Sequence, residues 1–76
     1  MSTDYSWLQG TAYEDDQGNV YKVLPGRDDI GFRARFCRPH KAGWLSVPGL
    51  PWRPTVAEAQ RELDELAARK GWKVHA

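Results

Sequence analysis

Between residues 32 and 36 the chain alternates without a break. Phe32, Ala34 and Phe36 fall to one side, Arg33 and Arg35 to the other. Successive side chains of an extended strand point to opposite faces, so this period of two predicts a half-buried strand with two guanidinium groups turned outward. Val20 to Leu24 is rich in β-forming residues and runs into Pro25-Gly26, a turn signal, which predicts a second strand. Trp44 to Val47, set between Ala42-Gly43 and Pro48-Gly49, predicts another short one. Upstream, Thr11-Ala12-Tyr13 followed by Asp15-Asp16-Gln17-Gly18-Asn19 predicts a first strand turning into the Val20 strand.

The period lengthens after Pro54. Val56, Ala59, Leu63 and Leu66 recur at spacings of three or four and form one apolar stripe, the mark of a helix lying on a core. Thr55 and Glu58 read as a capping box at its start, the threonine hydroxyl accepting from the Glu58 N–H and the Glu58 carboxylate reaching back to the Thr55 N–H. Gly71 is the natural left-handed stop, with Trp72 placed to fold back on the last turn. The predicted helix runs from Val56 to Lys70, with Glu62, Glu65 and Arg69 spaced for local ion pairs. Pro48, Pro51 and Pro54 make the run into it an extended connector.

These elements predict an α+β fold: a three- or four-stranded antiparallel sheet followed by one C-terminal helix packed on one face. The expected organisation is an N-terminal arm over residues 1–10 and a single (β)βββα domain over 11–76. In that packing Tyr21, Val23, Phe32, Ala34, Phe36, Leu45 and Val47 face inward and meet Val56, Ala59, Leu63 and Leu66. The opposite face then shows Lys22, Arg33, Arg35, Trp44 and Ser46.

Composition bounds what such a fold can do. Seventy-six residues allow one core and no second domain or deep cleft. A hydrophobic fraction of 41% supports a folded core rather than a disordered chain. The single cysteine, Cys37, rules out an internal disulfide framework and suits a reducing compartment. No apolar run approaches the ~20 residues of a membrane helix, and Met1 to Leu8 lacks the basic and apolar regions of a signal peptide. A cytoplasmic location without membrane contact is expected. The net charge of +1 conceals a segregation: residues 1–29 carry six acids against two cations, residues 30–54 five cations and no acid.

Candidate chemistry adds little to this picture. Cys37 and His40 form a C-x-x-H pair, but structural zinc takes four ligands and the only other histidine is His75. A nucleophilic cysteine needs a base and an orienting third group, for which the sequence offers no pattern. The adjacent acids Asp15-Asp16 and Asp28-Asp29 sit in turns, where such residues cap or solvate the backbone. No glycine-rich phosphate loop is present. No catalytic residue, metal, cofactor or small-molecule substrate is expected.

Two binding classes remain open. Four tryptophans exceed what so small a core encloses, and exposed Trp beside Arg is the usual makeup of interface hot spots. Trp52, Trp44 and Arg53 are the candidates for a protein partner, Trp52 above all because prolines hold Leu50 to Pro54 extended. Such a chain would serve as an adaptor or a phage-type inhibitor of a larger machine. Alternatively, the outward Lys22, Arg33 and Arg35, with Arg38 and Lys41 on the following loop, would hold a nucleic acid through base edges and phosphates.

The alternation of basic and aromatic residues on a β-meander, followed by the helix opening Thr55-Val56-Ala57-Glu58-Ala59, resembles the small AP2-like arm-binding domains of phage integrases. The likeness spans about residues 18–70. It implies a three-stranded sheet that contacts DNA, with Lys22, Arg33, Arg35 and Trp44 as the contact positions.

Overall fold

The computed structural model describes residues 10–28 and 30–75. The N-terminal arm, apart from Gly10, lies outside the described residues, as do Trp7, Asp29 and Ala76. Five strands and one helix follow in the order β1 (Tyr13–Glu14), β2 (Val20–Pro25), β3 (Phe32–Cys37), β4 (Leu45–Ser46), α1 (Val56–Lys70) and β5 (Lys73–Val74). They make one antiparallel sheet with the spatial order β4-β3-β2-β1-β5, and α1 packs across β2 and β3.

The central pair is set by its alternation. Tyr21 lies opposite Phe36, Val23 opposite Ala34 and Pro25 opposite Phe32, so the apolar set of each strand reaches the helix side together. A slip of one residue would turn both sets to water, which is what fixes this register. Tyr21, Val23, Ala34, Val47, Ala59 and Leu63 form the buried core, with Leu63 wholly enclosed. Burying one such leucine contributes about 1.5–3 kcal/mol. Leu45, expected inward, does fall on the helix side opposite Phe36, but at the rim of the sheet, where it stays exposed.

The helix begins and ends where its sequence predicts. Thr55 Oγ1 accepts from the Glu58 N–H at 3.2 Å, but the Glu58 carboxylate does not reach back to the Thr55 N–H, so only half of the expected capping box forms. At the other end Gly71 takes a φ of +74°, and the Trp72 N–H returns to the Ala67 carbonyl at 3.0 Å, the closing bond of a Schellman ending. Trp72 then stacks on Tyr21, rings 3.8 Å apart and 15° from parallel. That stack seals one end of the core and carries the chain back to the sheet.

There the chain makes a strand that the hydrophobic pattern does not predict. Lys73 and Val74 pair with Glu14 and Tyr13, and the His75 N–H donates to the Ala12 carbonyl at 2.8 Å. The helix is therefore followed by an edge strand, and the sheet has one strand more than the expected three or four.

Two side-chain hubs fasten the periphery. Asp15 accepts from the backbone N–H groups of Gln17 and Asn19, from Asn19 Nδ2, and from the Tyr21 hydroxyl at 2.7 Å. Burial raises this carboxyl, but the four bonds together outweigh burial and hold it below the usual carboxylate value. Tyr21, in turn, is pushed up to about 12, first by burial and then by the Asp15 carboxylate it faces. On the helix, Asp64 accepts from the Tyr13 hydroxyl at 2.7 Å and from Gln60, which also donates to the Thr11 carbonyl.

Candidate functional site

Register places the alternate residues of each strand on the face away from the helix. Arg35 stands between Lys22 and Ser46, Leu24 beside Arg33, and Val20 between Cys37 and Glu14. The expected outer set of Lys22, Arg33, Arg35 and Ser46 thus occupies one surface, and Trp44 joins it from the residue before β4.

Trp52 reaches the same surface by a route hidden from the sequence. Phe32 and Arg53 exchange backbone hydrogen bonds, Phe32 N–H to Arg53 O at 2.7 Å and Arg53 N–H to Phe32 O at 2.8 Å. This bridge fastens the proline-rich connector to the start of β3. Since Phe32 faces the helix, its partner Arg53 does too, and the neighbouring Trp52 turns outward. Gly31 makes room for the bridge. Its φ is +112°, and a Cβ there would run into the Arg53 carbonyl oxygen. Gly26 serves the indole in the same way, because any side chain at that position would strike Ile30 and the Trp52 ring.

Cations and tryptophans alternate across this face. The Arg33 guanidinium carbon lies 5.7 Å from the Trp52 ring centroid, and Lys22 Nζ lies 5.4 Å from that of Trp44. Arg35, between them, donates from Nη2 to the Trp44 carbonyl at 2.6 Å. The Nε atoms of Arg33 and Arg35 are covered and have no hydrogen-bond partner. Among the described residues no carboxylate pairs with Lys22, Arg33 or Arg35. The one strand acid on the outer face, Glu14, lies on β1 and meets His75 Nδ1 at 3.0 Å. Beside Trp52 the surface dips into an open depression of about 480 Å³ lined by Pro25, Gly26, Arg27, Ile30, Arg35 and Trp52. Ile30 is half exposed at its edge. Arg27 and Ile30 were not read from the sequence as site residues. Their signal, a cation and an aliphatic residue flanking a turn, becomes meaningful only once Trp52 is known to sit over that turn.

The remaining candidates lie elsewhere. Arg53 turns to the helix, where Nε and Nη2 grip both oxygens of Glu62 at 2.9 and 2.5 Å. The hydrogen bonds from Arg53 hold the Glu62 carboxyl below its usual value, and Glu62 raises Arg53 in return. Glu62 is thus drawn to the connector, not to the helix neighbours expected for it. Arg38 and Lys41 are exposed on the loop after β3. That loop shares an end of the sheet with the acidic β1–β2 turn, as Val20 pairs with Cys37 and Gly18 lies against Pro39. Cys37 Sγ lies 3.7 and 3.8 Å from the carbonyls of Arg38 and Lys41, and His40 turns the loop with a φ of +63°. Among the described residues no group of three or more His, Cys, Asp or Glu gathers as a metal site would require, and no helix is long and apolar enough to cross a membrane.

The chain matches no protein-family model, no curated protein and no solved structure. The outer face is therefore read from its own chemistry.

Proposed function

We propose that the chain is a non-catalytic binding module that docks a protein partner on the outer face of its sheet, as an adaptor or inhibitor of a larger assembly does. The observation that carries this reading is the alternation of Lys22, Arg33 and Arg35 with Trp44 and Trp52, cations without carboxylate partners, running into an apolar-edged depression. Tryptophan and arginine are the residues that dominate interface energetics, and here they are held in place before any partner arrives.

A sheet laid on DNA, in the manner of AP2-like domains, is the competing reading, favoured by the shared face of Lys22, Arg33 and Arg35. Two features weigh against it. Arg38 and Lys41, which would extend a phosphate track, stand with Asp15 and Asp16 at the far end of β3. The depression beside Trp52 sets Ile30, Pro25 and the indole beside Arg27 and Arg35, a mixed lining that suits an amphipathic stretch of polypeptide better than a uniform run of phosphates.

The test is selection from a displayed random-peptide library on the immobilised chain, alongside anisotropy titrations of labelled duplex and single-stranded DNA. The expected result is a peptide family enriched by the wild type and lost on Trp52→Ala or on Arg33→Gln with Arg35→Gln. DNA binding should be weak. Tight DNA binding that falls by orders of magnitude between about 50 and about 200 mM salt, with no peptide enriched, would overturn the proposal.

A further inference from the structure

Resting on that reading, we infer the chemistry of the segment that docks: an extended stretch of the partner with two carboxylates on alternate residues and an aliphatic side chain at an adjoining alternate position. Arg33 and Arg35 leave the same face of β3 two residues apart, a spacing of about 6.7 Å at the rise of an extended chain. A partner segment that is itself extended repeats at the same interval, so its alternate side chains keep the step at which Arg33 and Arg35 leave the backbone. A lone chain-terminal carboxylate would answer only one of them.

The charge of the face selects the sign of the ligand. Among the described residues no acid pairs with the three central cations or lines the depression. Lys22, next to Arg35 across the sheet, adds a third positive group on the same row. Arginine matches a carboxylate with two parallel N–H donors. Stacking on Trp52 and the bond to the Trp44 carbonyl limit how much side-chain freedom Arg33 and Arg35 have left to lose. The third alternate position of the partner reaches the depression that Arg35 lines on one side, where Ile30, Pro25 and the Trp52 ring offer apolar contact. Arg27 stands at the same rim and would attract a further acid beyond the aliphatic residue.

The measurement is a titration of the isotope-labelled full chain, followed by nuclear magnetic resonance at the tryptophan indole N–H signals. The probe is a heptapeptide capped at both ends, reading Ser-Glu-Ser-Glu-Ser-Leu-Ser. Trp52 and Trp44 should shift saturably, Trp72 should not, and the shifts should vanish in the Arg33→Gln, Arg35→Gln variant while its spectrum stays dispersed. A peptide of the same composition with its two acids adjacent should bind about threefold to tenfold more weakly, as should the versions with Gln for Glu or Ser for Leu. Equal affinity for adjacent and alternating acids would overturn the spacing. Failure of every peptide to move either indole at millimolar concentration would overturn the segment chemistry. The docking reading itself would survive that result if library peptides of other composition are still lost on Trp52→Ala. Tighter, salt-steep binding of oligothymidylate would overturn both.

Discussion

On the helix side of the sheet, polar groups meet answering partners. Arg53 grips Glu62, Tyr21 donates to Asp15, and Tyr13 donates to Asp64. On the outer side, Lys22 and Arg33 lean on indole rings, and two arginine Nε atoms are covered without an acceptor. The two sides take alternate residues of β1, β2 and β3, to which the helix and Arg53 are added on one side and Trp44 and Trp52 on the other. The helix side leaves one covered acceptor, Gln60 Oε1, unanswered, whereas the outer side leaves two covered donors and, among the described residues, three cations that no carboxylate pairs. A covered donor without a partner costs stability and is out of reach from outside, so it is the unpaired positive charge of the outer side, and not those two Nε atoms, that the proposed docking would use.

The largest effect that separates the two sides is expected at Leu63. It is fully enclosed, and Leu63→Ala should destabilise the fold by about 2–5 kcal/mol through lost burial and the cavity left behind. In a chain this small that is a large share of the total, and a urea melt would read it directly. An effect below about 1 kcal/mol would mean that the helix is not the principal cover of the sheet.

A smaller effect follows from acid. Asp15 and Glu62 both have folded-state values below their usual ones, so their hydrogen bonds stabilise the fold at neutral pH. That contribution should drain away as pH falls below the ordinary carboxylate range, near 3.8 for Asp15 and 4.5 for Glu62. Urea midpoints should drop between pH 5 and pH 3, and Asp15→Asn should flatten the fall. An acid limb unchanged by that substitution would remove Asp15 as a hub of the helix side.

How far this contrast could be read from the chain varies with the range of the interaction that decides it. The strict alternation at Phe32 to Phe36 fixes which residues face the helix, and with it the outward set Lys22, Arg33 and Arg35. Thr55 and Gly71 bound the helix by local backbone chemistry, and its observed limits, Val56 and Lys70, are the predicted ones. Strand β5 left no such trace. Two residues carry no period, and Lys73-Val74 becomes a strand only because the Trp72 stack delivers it to β1. The parting of Trp52 from Arg53 was equally hidden, since neighbours in the proline-rich run are sent to opposite faces by one bridge to Phe32. The alternation already places Trp44 with Lys22, Arg33 and Arg35. The tertiary bridge is what adds Trp52 to that surface and takes Arg53 from it.

The smallest expected change is also the most telling. In the variant with Arg33→Gln and Arg35→Gln, equilibrium urea unfolding at neutral pH should give a stability within about 1 kcal/mol of the parent, because the fold's own stake in these cations is limited to the Arg33 contact with Trp52 and the Arg35 bond to the Trp44 carbonyl. A loss of about 3 kcal/mol or more would contradict the account and make the outer arginines part of what holds the sheet together.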